Sequence, residues 1–483
     1  MKISRNLSRI IMAATALVAS ACGDYLEENP DNRVELNTME KASQLLTNAY
    51  SSAGYSFTEW MSDNVSFTTG TVKLPEHNQA YLWEDITTDS QDTPIYFWTS
   101  TYDAIAHANE VLAVIEDLPG ERDQKLAVEA EALLTRAYGH FMLVNLFAKH
   151  YNAETAATDP GIPYVLEPER EFLKKYNRNT VEEVYDFIEA DLKRGLRYVD
   201  ASYYANSGKY HFTREAALAF ASRFYLFKGD YTNCLDYSNQ LLANDPSVFV
   251  KDITRLLDET PNPDEFISAY TSPTDQSNLL VVRQVTNFPV NVGYWPSPSL
   301  VSQLYDSNPW FEEDVRTSNE YPIYLRGTGW AIAKFEFLFE RSSLTSNVGL
   351  YYTIAPVFRG EEVLLNRAES FVYLNQSALA IDDLQTMVDL RYSGDPDVNV
   401  ADLKSYYGIS NDRVAILSYI LDERRKEFMH EGLRWFDIRR YNIPVQHLDQ
   451  SGIAVTLEAE DPRKVLQIPK AAIDVGGLEP NPR

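Results

Sequence analysis

The chain has 483 residues, of which 45% are hydrophobic, and its formal net charge is −27 at pH 7. This length and apolar content suit a globular protein with a large core or two packed subdomains. The acidic surface excludes nucleic acids as expected partners and leaves neutral ligands, cationic ligands and proteins. Cys22 and Cys234 are the only cysteines, so packing rather than disulfide bonding must stabilise the fold.

The amino terminus has the pattern of a bacterial export signal that ends at a cysteine. Basic residues open the chain, residues 10–18 form an apolar run too short to span a bilayer, and small residues precede Cys22. We therefore predict a lipoprotein signal peptide over residues 1–21 and acylation of Cys22, which anchors the chain to membrane lipid. Residues 22–37 then form an acidic tether. The alternative is an ordinary cleaved signal with an incidental cysteine.

Helical periodicity dominates residues 38–244, which we predict to be an N-terminal helical repeat region. Apolar side chains recur at helical spacing over residues 95–115 and again over 123–147, with a Pro-Gly pair between them. This pattern predicts a helical hairpin. Thr180 and Glu183 have the spacing of a capping box, which predicts the start of a further helix.

Two segments fit the tetratricopeptide repeat of about 34 residues in residue type and spacing. The first follows Thr213, with Gly229 at its turn and Cys234 in the slot for a small residue where two helices approach. The second covers residues 361–391. Each helical hairpin leaves one apolar face bare, so we expect the two units to stack on each other or on neighbouring helices.

Between these units, residues 245–356 are rich in Pro, Asn, Ser, Thr and aromatic residues. We predict a loop-rich insertion there, with short strands such as residues 279–282. Residues 357–483 are predicted to form a C-terminal helical repeat and signature region. The predicted fold class is mainly α, a tetratricopeptide-like helical-hairpin scaffold with a loop-rich insertion that contains short strands.

The carboxyl-terminal third carries motifs of a known family. Residues 357–369 read VFRGEEVLLNRAE, residues 420–440 read ILDERRKEFMHEGLRWFDIRR, and LQIPK follows at 466–470. These segments resemble the signature of the SusD/RagB family of outer-membrane nutrient-binding lipoproteins. Within the signature, Lys426 lies three and four residues after Glu423 and Asp422, so we expect ion pairs in a packed charge network rather than a catalytic site.

The resemblance covers nearly the whole mature chain and implies a function. A SusD-like protein binds an extracellular oligosaccharide with its loops, without catalysis, and delivers it to a SusC-like TonB-dependent transporter. It is held in the outer membrane by its lipid and faces the cell exterior. A peptide-binding member of the same family is the alternative within this class.

The resemblance also points to ligand-binding residues. SusD-like glycan sites draw on the loop before the helix that contains Trp98 and on the central insertion. A flat aromatic ring can stack on the apolar face of a sugar, so the useful rings are exposed ones. The candidates for ligand contact are Tyr81, Trp83, Tyr294, Trp295 and Trp330. The alternative is that each ring packs its own loop down.

Known catalytic and metal motifs do not occur in the sequence. It contains no nucleophile elbow, zinc-protease motif or phosphate loop, and its seven histidines lack metal-ligand spacing. Asp395 to Asn399 imitates a calcium loop, but Val400 stands where glycine is required, so we predict an ordinary turn. We predict no enzyme, cofactor or metal. The paired carboxylates of a glycosidase are recognised by their separation in space and not by a sequence motif. A secreted glycoside hydrolase is therefore the alternative from another class. A third possibility is a helical-repeat scaffold that binds only proteins.

Overall fold

The computed structural model describes residues 36–171, 174–204, 207–243, 245–318 and 321–483. The predicted signal peptide, Cys22 and most of the predicted tether lie outside these ranges. In chain order the α-helices are α1 (Met39–Leu46), α2 (Phe57–Met61), α3 (Pro75–Tyr81), α4 (Pro94–Val114), α5 (Arg122–Phe147), α6 (Val181–Tyr198), α7 (Arg214–Lys228), α8 (Tyr231–Leu242), α9 (Ile253–Glu259), α10 (Pro263–Tyr270), α11 (Pro298–Tyr305), α12 (Gly360–Tyr373), α13 (Ser377–Asp389), α14 (Val400–Tyr407), α15 (Asp412–Glu427), α16 (Arg434–Arg440) and α17 (Lys470–Asp474).

Short strands and single 3-10 turns lie between these helices. The strands are β1 (Asn278–Val285), β2 (Ile323–Arg326), β3 (Gly329–Ile332), β4 (Leu338–Arg341), β5 (Gly349–Arg359), β6 (Val445–Leu448) and β7 (Ala454–Leu457). The 3-10 turns are Thr47–Ala49, Ala201–Tyr204, Gly208–Tyr210, Pro246–Phe249, Val315–Thr317 and Pro462–Lys464. The mainly helical fold class is confirmed.

The amino-terminal helices begin where their capping residues predict. The Thr93 side chain accepts a hydrogen bond from the backbone N–H of Tyr96 at the start of α4. At the start of α6, Thr180 and Glu183 form the predicted capping box. Each cap satisfies backbone donors that have no partner within the helix. The predicted hairpin is confirmed, because α4 and α5 pack against each other.

The two predicted tetratricopeptide units are confirmed as the helix pairs α7–α8 and α12–α13, and α8 packs against α12. Gly229 makes the first turn with a φ of +73°, a conformation that costs glycine little. Cys234 is fully buried where the units meet, with its Sγ 3.8 Å from the Asn366 carbonyl oxygen and from Ser222 Oγ. A small residue is needed there because the helices approach closely.

The proposed insertion, residues 245–356, contains more regular structure than its composition indicates. The predicted strand at 279–282 is part of β1, which lies beside β5 in an antiparallel sheet of order β1-β5-β4. Strands β2 and β3 form a separate hairpin. Helices α9, α10 and α11 were not predicted; they bury a small apolar cluster together with residues that include Ile332 of β3 and Met429. The boundaries of the regions stay a proposal.

A buried charge network joins the insertion to the carboxyl-terminal helices. Arg316 in the insertion lies 2.9 Å from Glu423 and 3.3 Å from Glu427, both on α15. Glu427 also pairs with Arg391 at 2.8 Å. All four side chains are buried, so each charge depends on its partners for compensation. A packed network in the signature is thereby confirmed.

One predicted pair within the signature differs from the expectation. Lys426 pairs with Glu423 at 3.2 Å. Asp422 does not pair with Lys426; its carboxylate accepts a hydrogen bond from the Tyr407 hydroxyl at 2.6 Å. The reason is that Lys426 points into the buried network, where its Nζ also donates to the Tyr392 hydroxyl oxygen at 2.7 Å.

Candidate functional site

Three of the five predicted ligand-contact residues lie together in a column of stacked rings. Tyr294 stacks on Tyr81 with ring centroids 3.9 Å apart, and the other face of Tyr81 meets His447 at 4.2 Å. Trp83 closes the column against His447 at 4.5 Å. The column thus brings together two segments to which the family resemblance points, the loop after α3 and the central insertion. The expectation that the rings are exposed is wrong, because each side chain in the column is at most 3% exposed.

Hydrogen bonds fix the column to the surrounding backbone. Trp83 Nε1 donates to the Met61 carbonyl at 2.8 Å, and the Tyr81 hydroxyl donates to the Leu448 carbonyl at 3.0 Å. The Tyr294 hydroxyl donates to Asn78 Oδ1 at 2.5 Å. These bonds satisfy the polar ends of buried rings. The column therefore holds the loop after α3 and the insertion together.

The remaining two candidates flank the column in different environments. Trp295 is 2% exposed and lies 5.0 Å from Phe288 and 5.3 Å from His430, measured between ring centroids. Gly293 places this loop across Trp60: its φ is +75°, and a Cβ there would lie 2.7 Å from the Trp60 ring. Trp330 is half-buried on β3 opposite Leu325. Whether any of the five touches a ligand stays a prediction.

A cavity of about 510 Å³ opens beside Trp295. We name it the insertion pocket. Aromatic rings from the loop after β1, from β2 and from the segment before β4 line it, namely Phe288, Trp295, Tyr324, Phe335 and Phe337. Trp295 is the one predicted contact residue among them. Phe337 is 53% exposed at the rim, so its ring can be reached from solvent.

A few polar side chains converge on the insertion pocket. Arg326 lies with its guanidinium 5.3 Å from the Tyr324 ring and 5.9 Å from the Trp295 ring. Its two hydrogen bonds reach the carbonyls of Leu325 and Pro289 at 3.3 Å each. In the described part of the chain Arg326 has no carboxylate partner, so this group keeps donors for a ligand.

The polar base of the pocket is less available. Lys334 is 4% exposed and pairs with Glu431 at 3.0 Å. His430 Nε2 accepts a hydrogen bond from the Ile332 N–H at 3.1 Å. Burial, together with the charges of Lys334 and Arg326, lowers the pKa of His430 to about 3, so the ring is neutral at pH 7. These groups shape the pocket rather than supply free charge.

Sequence reasoning missed Tyr324, Arg326 and Phe337 as site residues. The aromatic residues at 335, 337 and 339 alternate, which is typical of a strand that presents rings on one face. That alternation was the sequence signal that could have identified Phe337. No such signal existed for Arg326, because only the β2–β3 hairpin brings its side chain over Trp295.

Among the described residues, no helix combines the length and the apolar character of a membrane span. The described His, Cys, Asp and Glu side chains form no group of three that could hold a metal ion.

The fold and the pocket together define a class of protein, a helical-hairpin scaffold that presents a ring-lined pocket on an irregular insertion. Comparisons with known families agree with this class. Residues 24–226 match the family described as "Starch-binding associating with outer membrane", and residues 326–466 match the SusD family. The two matches together cover most of the chain, and this chain belongs to the SusD family.

Individual relatives match over nearly their full length. A SusD-like protein P38 from Formosa agariphila is 23% identical over 92% of this chain and 93% of its own length. A SusD superfamily structure from Bacteroides thetaiotaomicron has a TM-score of 0.69 at 20% identity and covers 92% of this chain and 100% of its own. A laminarin-binding SusD-like structure has a TM-score of 0.63 at 17% identity, with 92% and 99% covered.

The family assignment fixes the general role. SusD-like proteins are non-catalytic carbohydrate-binding proteins. The chain is therefore a binding protein rather than an enzyme, and the hydrolase alternative is set aside.

Proposed function

We propose that this protein captures an extracellular oligosaccharide in the insertion pocket and passes it unchanged to a TonB-dependent outer-membrane transporter. The observation that carries the proposal is a cavity of about 510 Å³ in which aromatic rings surround the Arg326 guanidinium, a group with no carboxylate partner among the described residues. Aromatic faces stack on sugar rings, and guanidinium donors bond hydroxyls. A cavity of this size accommodates a few sugar units.

Within this proposal the predicted residues have different roles. Trp295 forms one wall of the pocket, and Trp330 supports it from the β2–β3 hairpin. Tyr81, Trp83 and Tyr294 act behind the pocket, because their stacked column fixes the loops that carry the contact residues. Phe337, Tyr324 and Arg326 are the proposed direct contacts.

The chemistry of the relatives supports a glycan as the ligand. One structural neighbour is a laminarin-binding SusD-like protein. The net charge of −27 favours a neutral polymer in this pocket, since a polyanion would be repelled by most of the surface. A peptide remains the alternative ligand within the family.

Acylation of Cys22 and capture at the outer face of the outer membrane are parts of the same proposal. The family description places related proteins at the outer membrane. An anchor followed by an acidic tether would hold the pocket close to a transporter. Such tethering raises the effective concentration of ligand at the transporter, even where the pocket itself binds weakly.

Calorimetric titration tests the capture step. Residues 23–483 would be titrated with laminarin, other neutral polysaccharides, acidic polysaccharides and peptides, and each mixture would be chromatographed for products. We expect one class of neutral polysaccharide to bind without cleavage. Binding of peptides and of no polysaccharide would make this a peptide-binding member of the family. New products in any mixture would contradict the non-catalytic role.

The delivery step needs its own measurement. The acylated protein would be solubilised from the native membrane and captured by an affinity tag. We expect a large TonB-dependent transporter to copurify in stoichiometric amount. Its absence, with the pocket still competent for glycan, would refute delivery but leave capture intact.

A further inference from the structure

A second cavity, of about 750 Å³, lies where four helices end. We name it the basic cavity. It shares no lining residue with the insertion pocket. The helix ends contribute Lys149 just after α5, Lys228 at the end of α7, Tyr373 at the end of α12 and Arg440 at the end of α16. Five basic and three acidic side chains line the cavity, in a chain whose net charge is −27.

Arg439 is the central feature of the basic cavity. Its side chain lines the cavity, and the residue is 8% exposed. One guanidinium nitrogen, Nη2, donates to the Ala148 carbonyl oxygen at the end of α5. Among the described residues no carboxylate lies within ion-pair distance of it. Its neighbour Arg440 differs, because it pairs with Glu369 at 2.7 Å and with Asp437 at 2.9 Å.

Lys464 is a second buried cation in the basic cavity. It is 6% exposed, and its Nζ donates to Asn442 Oδ1 at 3.1 Å and to the Ala459 carbonyl oxygen at 2.5 Å. Its pKa is lowered to about 8, chiefly by burial; the charges of Glu460 and Asp461 oppose this effect, and the charge of Arg439 adds a smaller lowering. The two cations therefore lie close enough to repel each other.

The titration of the neighbouring groups agrees with an uncompensated positive charge. Burial lowers the pKa of Arg439 to about 10, and among the described residues no carboxylate offsets that effect. Burial and the charges of Arg440 and Arg439 lower the pKa of His150 to about 3. Burial accounts for the direction at Arg439, whereas at His150 the positive charges of Arg440 and Arg439 add to burial.

The other charges of the basic cavity largely compensate one another. Lys149 pairs with Asp159 at 2.7 Å, and Lys228 pairs with Glu189 at 2.5 Å. Glu460 lines the cavity and accepts a hydrogen bond from Asn442 rather than from a cation. Asp461 also lines the cavity and pairs with Arg463 at 2.6 Å. Arg439 and Lys464 are therefore the lining cations that have no ion-pair partner among the described residues.

Aromatic rings border this positive charge. Tyr231 stacks on Tyr373 with ring centroids 3.9 Å apart and planes 3° from parallel, and both rings line the cavity. Tyr151 and Tyr441 line it as well. Rings beside a cationic group suit a ligand that combines a flat apolar face with a negative charge.

We propose that the basic cavity binds the oxyanion of an acidic sugar, a carboxylate or a sulfate ester, with Arg439 as its main partner and Lys464 as its second. A planar guanidinium can bond such a group through two parallel N–H donors. This site is separate from the proposed glycan-capture pocket, and neither depends on the other. It gives the protein a means to distinguish charged from neutral saccharides.

Ligand-induced shifts of the thermal midpoint test this site. The mature chain, residues 23–483, would be titrated with sodium glucuronate, sodium sulfate and glucose at constant ionic strength. The variants are Arg439→Met and Lys464→Met. Arg194→Met serves as the matched control, because Arg194 is a half-exposed arginine paired with Glu129 outside the cavity. All three variants lose one positive charge.

We expect Arg194→Met to bind glucuronate or sulfate with the same affinity as the wild type. Neither protein should bind glucose. Affinity should fall at least tenfold in Arg439→Met and several-fold in Lys464→Met. Binding by the wild type should also weaken from pH 7 to pH 9, as Lys464 loses its proton. A shift of the thermal midpoint with glucuronate alone would identify the ligand as a carboxylate-bearing sugar. A shift with both anions would show that the site accepts either oxyanion.

Three results would overturn the proposal. The first is equal anion affinity in the wild type and Arg439→Met, and the second is a loss of affinity in Arg194→Met as large as that in Arg439→Met. The third is no saturable shift of the thermal midpoint of the wild type with either anion. If Arg439→Met does not fold, Lys464→Met and the pH dependence decide by the same criteria.

Discussion

Replacing Trp83 by alanine should destabilise the fold instead of acting only on ligand binding. The ring is 3% exposed, stacks on His447 with centroids 4.5 Å apart, and donates to the Met61 carbonyl at 2.8 Å. Truncation of a buried Trp to Ala costs about 3–5 kcal/mol, and an orphaned buried acceptor adds about 1 kcal/mol or more. Backbone strain does not contribute to this loss of stability, because tryptophan and alanine are both L-amino acids and would have the same φ of 56° at this position.

The measurement is urea-induced unfolding followed by far-ultraviolet circular dichroism. Trp83→Phe is the matched variant: it keeps a ring in the column but loses the Nε1–H donor, so we expect a loss of about 1–2 kcal/mol. We expect Trp83→Ala to lose at least twice as much. Unchanged stability in Trp83→Ala, together with lost glycan binding, would refute the buried column and restore the idea of an exposed binding platform.

Three further predictions concern the charge network and the anchor. Glu427→Gln should lower the free energy of unfolding by about 3–5 kcal/mol, because it leaves buried arginines uncompensated; an unchanged denaturation midpoint would argue against the network. Burial alone would raise the pKa of Glu423, but the charges of Arg316 and Lys426 lower it to about 2. Its stabilising contribution is therefore present above its unfolded pKa of about 4.3 and is lost as the pH falls towards 2, so stability measured over that interval should drop less steeply in Glu423→Gln than in the wild type. Cys22→Ala should move the protein from the membrane fraction to the soluble fraction, and retention without acylation would contradict the predicted anchor.

The helical scaffold could be predicted from the sequence because its signals are local. The capping box at Thr180 and the turn glycine at Gly229 act within a few residues of the helix that they begin or end. The repeat spacing then placed Cys234 in the slot for a small residue where two helices approach, and the structure confirms that position.

The role of the aromatic residues could not be predicted in the same way. Tyr81 and Trp83 are buried because His447 lies between them, more than 360 residues away in the chain. Exposure of a ring depends on such distant partners, and the sequence around the ring does not specify them. The short helices of the insertion were missed for a related reason, since helices of seven or eight residues show too few periods to stand out.

The insertion pocket could be predicted in part. The family resemblance pointed to the insertion and to Trp295 as a candidate for ligand contact. The polar chemistry of the pocket did not follow, because Arg326 reaches the Trp295 ring only through the register of the β2–β3 hairpin. Register of a short hairpin is set by its turn and by the surfaces that it packs against.

The central claim is that rings at the insertion pocket bind an oligosaccharide. The most direct test is calorimetric titration of Phe337→Ala beside Phe311→Ala with the polysaccharide that the wild type binds. Phe337 lines the pocket and is 53% exposed, whereas Phe311 is 93% exposed and lies outside it. Both substitutions should leave stability within about 0.5 kcal/mol of the wild type. The account predicts about tenfold weaker binding in Phe337→Ala and unchanged binding in Phe311→Ala; equal affinity of the two variants would contradict it.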